Sequence, residues 1–507
     1  MTKTNSLDSV NGDENDIDGT PEDYRPRFAY FYDGKTIKVR PTNGRKFDDV
    51  VSDIKESIVK ERKRFDWQKH MYFDNGSGRY YVTDSFGKFV PVNETQAKRR
   101  LRIEENPVAS PQWSADPYLD RIQQEQNVDS SAIIAGYKIG LHNISGKRVL
   151  ITGEAELIQA ENKKWDTIKS FLFDLFWSEK ANHGNTLKDA NVQFDYFLSW
   201  LSVSVKALYS NQKRPGQAIA LAGPRGCGKS FLQNYIITPI LGGRVAFPYS
   251  SMVGETRFND DLFGSEHLVI DDQNPHTDIR ARRNFGTAIK RFTVNDSGKM
   301  EQKYSDAFTA NPFWRLTISL NDNPDDLLVL PPMDSSIEDK IMLFKVGERK
   351  GDKTITGTAT QEGRNNFSDT IRRQLPAFVH YLLNVHRIPD KIVNERFGVG
   401  TWHHSDILEA LLDASPEGLL LSLIDSASSL FFGTKRDREW SGPAADIERK
   451  LTENSCSVHE RAKDLLGGDH RKLGAYLRKL EEKLPERVGS KMNRTKSKVW
   501  TIKPLRE

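Results

Sequence analysis

Cysteine is scarce in this sequence, since only Cys227 and Cys456 occur among its 507 residues. Two cysteines exclude a disulfide framework and a cysteine-rich zinc site, and they are typical of a reducing compartment, for which the cytoplasm is the default. Long apolar runs are also lacking, because the longest, residues 418–433, is interrupted by Ser422, Asp425 and three further serines. Such a run cannot span a bilayer, so no membrane partner is expected.

Charge is unevenly distributed along the chain, although the formal total is only +4. Residues 1–23 hold seven acids against one lysine, which predicts a disordered tail and lacks the basic and apolar regions of a signal peptide. Residues 470–507 hold twelve Lys or Arg against four Glu. A basic terminus of this kind attracts polyanions such as nucleic acid, the alternative being a solvated surface.

Composition and periodicity divide the chain into seven predicted segments. They are a disordered acidic tail (1–23), a small α+β module (24–105), a proline-marked linker (106–130), a helical and strand region (131–212), an α/β core (213–350), a helical lid region (351–433) and a C-terminal domain (434–507). In the α+β module, aromatic and β-branched residues alternate with polar ones over 28–39 and 71–92, which predicts short strands on either side of a helix at 48–65.

A glycine-rich loop follows the short apolar run Ala218–Ala222 and precedes a helical stretch, residues 231–240. The loop has the pattern G-x-x-x-x-G-K-S, and its residues are Gly223, Pro224, Arg225, Gly226, Cys227, Gly228, Lys229 and Ser230. Glycines let the backbone curl until its N–H groups and a helix N-terminus point at one phosphate cluster. The motif predicts that Lys229 reaches the β- and γ-phosphates of ATP and that the Ser230 hydroxyl holds Mg²⁺.

Paired acids end a second apolar run, His267–Ile270, 41 residues after Ser230. Asp271 is the candidate for the magnesium shell, and Asp272 is the candidate for polarising the attacking water. An isolated aspartate at a strand end often only caps the next element. Together with the upstream loop, the pair predicts nucleotide hydrolysis.

A third apolar run, Leu316–Leu320, ends at Asn321, 50 residues after Asp271. Because parallel strands that end in polar residues converge at one edge of an α/β sheet, Asn321 is a candidate for orienting the water. The alternative is a plain turn over Asn321–Pro324.

Between the second and third runs, residues 295–298 form a turn pattern flanked by strand-like residues. This pattern predicts a hairpin that carries Lys299 and Lys303 near its tip. These lysines are candidates for gripping a DNA backbone, with solvation or the nucleotide of a neighbouring subunit as alternatives.

The order of these elements resembles the superfamily 3 helicases, the AAA+ branch of small DNA viruses, phages and plasmids. The similarity is greatest to the primase-helicases of phages and mobile elements with a poxvirus-type helicase core. It covers about residues 130–390, and the phosphate loop is its sharpest motif. Softer matches are Arg214-Pro215-Gly216, Gly254-Glu255-Thr256, Phe258-Asn259 and Lys290.

The resemblance implies a P-loop AAA+ ATPase core with a parallel sheet, ATP and Mg²⁺ as ligands, and a homo-oligomeric ring, usually a hexamer. It further implies 3′ to 5′ movement on single-stranded or forked DNA during replication of a phage or mobile element. ATP then lies between subunits, so a cationic finger must arrive from the neighbour. The family usually places an arginine after the sensor residue, whereas this chain has Lys340 there, and the other candidates are Arg280, Arg282, Arg283 and Arg315.

Primase motifs are missing from the N-terminal part. No apolar strand in residues 24–130 carries two acids at D-x-D spacing, and four zinc-binding cysteines are absent. The chain is therefore expected to use a separate primase or polymerase.

Three predicted helices and a basic hairpin over residues 440–502 resemble a winged helix, in which the third helix enters a groove and the wing contacts phosphate. The DNA-binding candidates are Arg471, Lys472, Arg478 and Lys479 on that helix and Lys491, Arg494, Lys496 and Lys498 on the wing. The alternative is a protein-interaction domain with a solvated basic face.

Two further functions are compatible with the same motifs. One is an AAA+ DNA-binding initiator or regulator whose nucleotide state switches assembly without processive unwinding. The other is a defence ATPase that senses nucleic acid. The lysine hairpin favours the helicase, because a motor needs a grip on its track.

Overall fold

The chain divides into two compact units, Met1–Val128 and Asp129–Glu507. The computed structural model describes residues 28–32, 37–62, 70–105, 113–176, 187–256, 259–271, 273, 279–294, 298–300, 307–347, 358–433, 438–467, 470–493 and 497–505. Across these residues, no helix is both long and apolar enough to cross a bilayer.

The first unit begins with an antiparallel pair, Phe28–Tyr32 (β1) and Ile37–Pro41 (β2), followed by the helix Phe47–Arg62. A second sheet is built from Met71–Asp74 (β3), Arg79–Thr83 (β4), Phe89–Val92 (β5) and Asn127–Val128 (β6). Its strands lie in the order β5-β4-β3-β6. The strands predicted over 28–39 and 71–92 are confirmed, as is the helix between them as far as Arg62.

The predicted linker over 106–130 is wrong for its second half. Residues 116–125 form the helix Asp116–Glu125, and Leu119 and Ile122 pack in the same core as Met71 of β3. Pro117 lies in the first helical turn, where its missing N–H costs no hydrogen bond. The first unit therefore also holds this helix, the helix Glu94–Glu105 and strand β6.

The second unit begins with a three-stranded sheet of Ser130–Ala132 (β7), Gly140–Ile144 (β8) and Lys147–Ile151 (β9), in the order β7-β9-β8. Two helices follow, Asp166–Phe176 and Leu187–Tyr209, within the segment that the sequence predicts to contain helices and strands.

Seven strands follow between residues 218 and 345. They are Ala218–Ala222 (β10), Val245–Ala246 (β11), His267–Asp271 (β12), Gly298–Met300 (β13), Phe308–Ala310 (β14), Arg315–Leu320 (β15) and Ile341–Lys345 (β16). Five of them form a parallel sheet in the order β11-β12-β15-β10-β16. Strands β10, β15 and β16 are buried along their whole length, which is why apolar residues predominate in them. The fold is therefore mixed α/β with a parallel sheet, as predicted.

Helices cover both faces of this sheet. Alternate residues of β10 enter different cores, Ala218, Ala220 and Ala222 on one face and Ile219 and Leu221 on the other. The first face is covered by the helices Ile279–Val294 and Ser405–Asp413. The second is covered by Asp166–Phe176, Leu187–Tyr209 and Gln361–His380. Shorter helical segments are Tyr249–Val253, Asp260–Phe263, Pro324–Leu327, Glu338–Lys340, Tyr381–Val385 and Asp390–Ile392.

The lysine hairpin differs from its prediction. Residues up to Val294 are helical, and β13 pairs with β14, so the connection lies between Met300 and Phe308. Phe285, Ile289 and Phe292 are buried on one helical face, and this packing overrides the strand propensity of the last helical residues. Lys299 lies within β13.

The C-terminal part of the second unit combines five helices with an antiparallel sheet. The helices are Pro416–Ser426, Ser428–Phe432, Ala444–Thr452, His459–Leu466 and His470–Lys483. The strands are Trp440–Gly442 (β17), Val488–Met492 (β18) and Lys498–Ile502 (β19), in the order β17-β19-β18. The hairpin and the last two helices occur as predicted, whereas Trp440 belongs to a strand.

The predicted boundary between a lid region (351–433) and a C-terminal domain (434–507) does not match the packing. Leu420, Ile424 and Phe432 share one core with Leu477 and Trp500. The helix Gln361–His380 packs instead in the core beneath the central sheet. Residues 416–433 therefore belong structurally with the C-terminal elements, which we call the C-terminal segment (residues 416–505).

Candidate phosphate-binding site

The glycine-rich loop lies between β10 and the helical residues 229–240, which we call the loop helix. Gly228 precedes this helix with φ +112°, a left-handed conformation that side chains disfavour. At Gly223 a Cβ atom would lie 2.1 Å from the carbonyl oxygen of Val346, so only glycine fits there. At Gly226 a Cβ would meet no atom within 4 Å. The loop thus combines a tightly held start with an open bend, as a phosphate cradle requires.

Lys229 is folded back onto this loop. Its side chain is buried, and Nζ donates hydrogen bonds to the carbonyl oxygens of Gly223, at 2.8 Å, and Pro224, at 2.9 Å. Cys227 Sγ lies 3.9 Å from the same amine, and burial raises the pKa of this thiol. The ammonium is therefore held at the loop by neutral acceptors, which phosphate oxygens can replace.

Ser230 and Asp271 meet directly. Ser230 Oγ donates a hydrogen bond to Asp271 Oδ1 at 3.0 Å, although 41 residues separate the two. Asp271 is the last residue of β12, so its carboxylate lies at the carboxyl edge of the sheet beside the start of the loop helix. The sequence predicts this convergence, and Asp272 lies outside the described residues.

Ser319 is a site residue that the sequence analysis misses. It pairs in register with Asp271 across β12 and β15, and its Oγ also donates to Asp271 Oδ1. The carboxylate is thus held by a hydroxyl from each side. In the sequence, Ser319 is only a serine within a mostly apolar strand, two residues before Asn321. The register of β12 and β15 is needed to recognise it as a site residue.

Asn321 follows β15 next to the loop. Gly223 N–H donates to the carbonyl oxygen of Leu320 at 3.2 Å, which ties the loop to the residue before Asn321. Asn321 Nδ2 donates to Asp326 Oδ2 at 2.9 Å. Its Oδ1 is buried and has no hydrogen-bond partner among the described residues.

A closed ring of hydrogen bonds lies beneath the loop helix. Gln233 Nε2 is 2.8 Å from Thr317 Oγ1, which is 2.9 Å from His267 Nε2. His267 Nδ1 is 2.7 Å from Thr238 Oγ1, which donates to the carbonyl oxygen of Gln233 at 2.9 Å. Because the single Thr238 hydroxyl proton goes to the Gln233 carbonyl, Thr238 Oγ1 accepts from His267 Nδ1–H. In the neutral imidazole, Nε2 then accepts from the Thr317 hydroxyl.

This ring joins the elements that carry the site. Gln233 and Thr238 belong to the loop helix, His267 begins the strand that ends at Asp271, and Thr317 precedes Ser319. Burial lowers the pKa of His267 to about 3, so the imidazole stays neutral at physiological pH. Residues Leu232–Ile237 are π-helical, a geometry often found at functional sites.

The donor set fits magnesium. Mg²⁺ binds proteins through one or two oxygen ligands plus substrate phosphates and water. Ser230 Oγ and Asp271 Oδ1 supply two adjacent oxygens at the end of the phosphate loop. Within the described ranges, no group of three or more His, Cys, Asp and Glu side chains could hold a metal by itself. The chain therefore offers a partial shell that a bound triphosphate would complete.

Two candidates for the cationic finger, Arg315 and Lys340, contact polar groups of their own chain. Arg315 is fully buried, and its guanidinium donates to Ser204 Oγ at 2.8 Å and to the Trp314 carbonyl at 2.7 Å. Burial lowers the pKa of Arg315 to about 9. Lys340 Nζ lies 2.5 Å from Asp339 Oδ1. Arg315 cannot serve as a finger, and the side chains of Arg280, Arg282 and Arg283 lie outside the described set.

The predicted DNA-binding residues have different environments. Lys479 Nζ lies 3.4 Å from Glu417 Oε2, and Lys483 Nζ lies 3.2 Å from Glu417 Oε1, where Glu417 is only 1% exposed. Lys498 Nζ pairs with Glu481 at 3.1 Å and lies 4.0 Å from the Trp500 ring centroid. The predicted residues that are exposed in the structure are Lys299, Arg471, Lys472, Arg478, Lys479, Lys491 and Lys498. Lys303, Arg494 and Lys496 lie outside the described residues.

Comparison with known proteins adds little to this geometry. A family model described as "Family of unknown function (DUF5906)" matches residues 221–334, which include the loop, Asp271 and Asn321. No curated protein gives a significant match.

Two similar solved structures illustrate how distant the likeness is. The apo structure of the NrS-1 C terminal region is 11% identical, with a TM-score of 0.49, and the match covers 86% of this chain and 96% of that chain. A structure of JCV helicase bound to a substituted acetamide compound is 14% identical, with a TM-score of 0.24, and the match covers 52% of this chain and 70% of that chain. Because these TM-scores are below 0.5, we draw no functional conclusion from them.

Proposed function

We propose that this chain is an ATP-dependent DNA helicase of the superfamily 3 type, with a P-loop AAA+ core and a C-terminal winged helix. The observation that carries the proposal is the Ser230–Asp271 hydrogen bond at the end of the Lys229 loop. It brings a loop hydroxyl and a strand-end carboxylate together beside a buried lysine, which is the donor set that phosphoryl transfer uses.

Binding begins at the loop. The triphosphate accepts hydrogen bonds from the loop N–H groups, and Lys229 exchanges the carbonyl oxygens of Gly223 and Pro224 for β- and γ-phosphate oxygens. Ser230 and Asp271 hold Mg²⁺, which when bound neutralises charge on the phosphates. Ser319 keeps the Asp271 carboxylate in place during this exchange.

Hydrolysis requires a positioned water. Asp272 polarises that water, and Asn321 orients it beside the γ-phosphate. A cationic finger comes from the neighbouring subunit of a hexameric ring, with Lys340 or an arginine other than Arg315 as the candidate. Lys340 acts as a point charge without the fork geometry of arginine.

DNA contact uses two surfaces in this proposal. Lys299 of β13 and Lys303 grip single-stranded DNA as the ring moves 3′ to 5′. The exposed basic residues of the C-terminal segment recognise duplex or forked DNA, with Arg471, Lys472 and Arg478 on the last helix and Lys491 on the β18–β19 hairpin. A separate primase or polymerase supplies primers.

A forked-DNA strand-displacement assay tests the proposal. The wild-type chain, assembled with Mg²⁺ and ATP, is expected to release the labelled strand, and a non-hydrolysable analogue is expected to give none. Lys229→Ala is the matched control, which binds DNA but displaces no strand. ATP turnover and DNA binding without displacement would instead support an AAA+ initiator, regulator or defence ATPase.

That second function has one structural observation in its favour. Lys479 and Lys498, two of the predicted DNA contacts, are bonded to acids of the C-terminal segment itself. A smaller basic surface suits a switch that binds DNA without moving along it.

A further inference from the structure

The amide of Asn321 has a donor end, Nδ2, and an acceptor end, Oδ1. The neighbouring Asp326 determines the orientation of this amide. Nδ2 only donates and Oδ1 only accepts, whereas an ionised carboxylate only accepts. Because Nδ2 donates to Asp326 Oδ2 at 2.9 Å, the flipped amide would place two acceptors together. Asp326 therefore selects one of the two amide orientations.

Asp326 is itself held in place. It lies in the short helix Pro324–Leu327, and its backbone N–H donates to Asn323 Oδ1, the capping side chain, at 3.3 Å. The backbone of Asp326 is thereby held five residues from Asn321, on the turn that follows β15, within reach of the Asn321 amide. The neighbouring Asp325 is exposed in the same helical turn.

The remaining end of the amide, Oδ1, is buried without a partner in the described part of the chain. A buried carbonyl oxygen without a donor is unfavourable, so such an atom needs an explanation. Asn321 lies two residues beyond Ser319, which is bonded to Asp271, and next to Leu320, whose carbonyl accepts from Gly223. An acceptor is therefore available beside both the metal-holding acid and the phosphate loop.

We infer that Asp326 is a positioning residue that directs Asn321 Oδ1 toward the attacking water. Asn321 then accepts a hydrogen bond from that water. A lone pair of the water oxygen remains free to attack the γ-phosphorus. This excludes the opposite arrangement, in which the amide N–H groups donate to a phosphate oxygen. The inference rests on the proposed ATP hydrolysis and adds the atom through which Asn321 acts.

The test compares Asp326→Asn with Asp325→Asn in steady-state ATP hydrolysis by the full chain with Mg²⁺ and single-stranded DNA. Both variants remove one negative charge from the same helical turn. An asparagine at 326 can donate as well as accept, so it no longer selects the Asn321 orientation. We expect kcat to fall by about 10- to 100-fold in Asp326→Asn with KM for ATP within about twofold, and Asp325→Asn to match the wild type.

A second pair separates positioning from folding. Asp326→Glu and Asp326→Gln have the same length, but only glutamate is purely an acceptor, so kcat of Asp326→Glu must exceed that of Asp326→Gln. Equal kcat values in this pair, an unchanged kcat in Asp326→Asn, or a raised KM with unchanged kcat would overturn the inference alone. A wild-type chain that hydrolyses no ATP would overturn the proposed function as well.

Discussion

At the carboxyl edge of the central sheet, two serine hydroxyls share one carboxylate oxygen, whereas in the C-terminal segment two of the predicted DNA-binding lysines pair with glutamates of the same segment. Ser230 and Ser319 both bond to Asp271, whose carboxylate forms no ion pair with a described basic residue. Lys479 and Lys498 have their charges matched by Glu417 and Glu481. One region is arranged around an unmatched carboxylate, and the other around matched pairs.

A spaced sequence motif therefore predicts the positions of side chains better than a run of basic residues does. A spaced motif such as G-x-x-x-x-G-K-S specifies backbone geometry, and the ends of parallel strands meet wherever the chain returns to the sheet. A run of basic residues specifies only charge. Whether a lysine faces solvent or an acid depends on packing that the run does not contain.

The largest expected effect is at the unmatched carboxylate. Asp271→Ala removes one proposed magnesium ligand and the acceptor shared by Ser230 and Ser319, so kcat for ATP is expected to fall by about 1,000-fold. Asp261→Ala, which changes an exposed acid on the preceding helix, is the control and should leave the rate unchanged. Phosphate release measured over a magnesium titration checks both. A rate within tenfold of wild type for Asp271→Ala would remove Asp271 from the site.

The next effect separates neighbouring residues of the C-terminal segment. Lys479→Ala combined with Lys483→Ala leaves the buried Glu417 carboxylate unpaired, and we expect the free energy of unfolding to fall by about 2 kcal/mol or more. This is below the full cost of a broken buried pair because both lysines are partly exposed. Arg478→Ala should change stability by less than about 0.5 kcal/mol.

DNA binding by Arg478→Ala gives a second comparison with the double lysine variant. Because Arg478 is exposed, its loss should weaken binding and reduce the salt dependence by about one phosphate contact. Denaturant unfolding and salt-dependent DNA titration provide the two readouts. Equal destabilisation by Arg478→Ala and by the double lysine variant would show that the Glu417 pairs do not distinguish these residues.

The last prediction concerns acid stability beneath the loop helix. The folded-state pKa of His267, about 3, lies below its usual value near 6.5. Between these two pH values the imidazole is therefore protonated in the unfolded chain and neutral in the folded one. The stabilisation is complete above pH 6.5 and is lost as pH falls toward 3, by at most about 1.4 kcal/mol per pH unit. His267→Gln should be less stable at pH 7 but show a shallower loss between pH 6 and pH 4. Parallel pH profiles of unfolding for the two proteins would contradict this role.

Much of the site could be predicted from sequence because its geometry is local or dictated by parallel strands. The loop, Asp271 and the strand before Asn321 all lie where the motif places them. Ser319 could not be identified without the register that sets it opposite Asp271. The partner of Asn321, Asp326, depends on the turn after β15 and on the cap from Asn323.

Errors elsewhere have a common physical cause, which is packing at a distance. Arg315 resembles an available cation in sequence, but it is buried and bonded to Ser204, 111 residues away. Pro117 resembles a linker residue, yet it begins a helix whose apolar side completes the first core. Residues 290–294 have strand propensity, but the buried face of the helix Ile279–Val294 determines their conformation.

The most direct measurement is magnesium-dependent phosphate release from ATP by the assembled wild-type chain and by Lys229→Ala, each with single-stranded DNA present. We predict turnover by the wild type that requires Mg²⁺ and a loss of at least about 100-fold in the folded variant. Equal rates in the two proteins, or no release by the wild type under any DNA condition, would contradict the assignment of this sheet edge as a site of ATP hydrolysis.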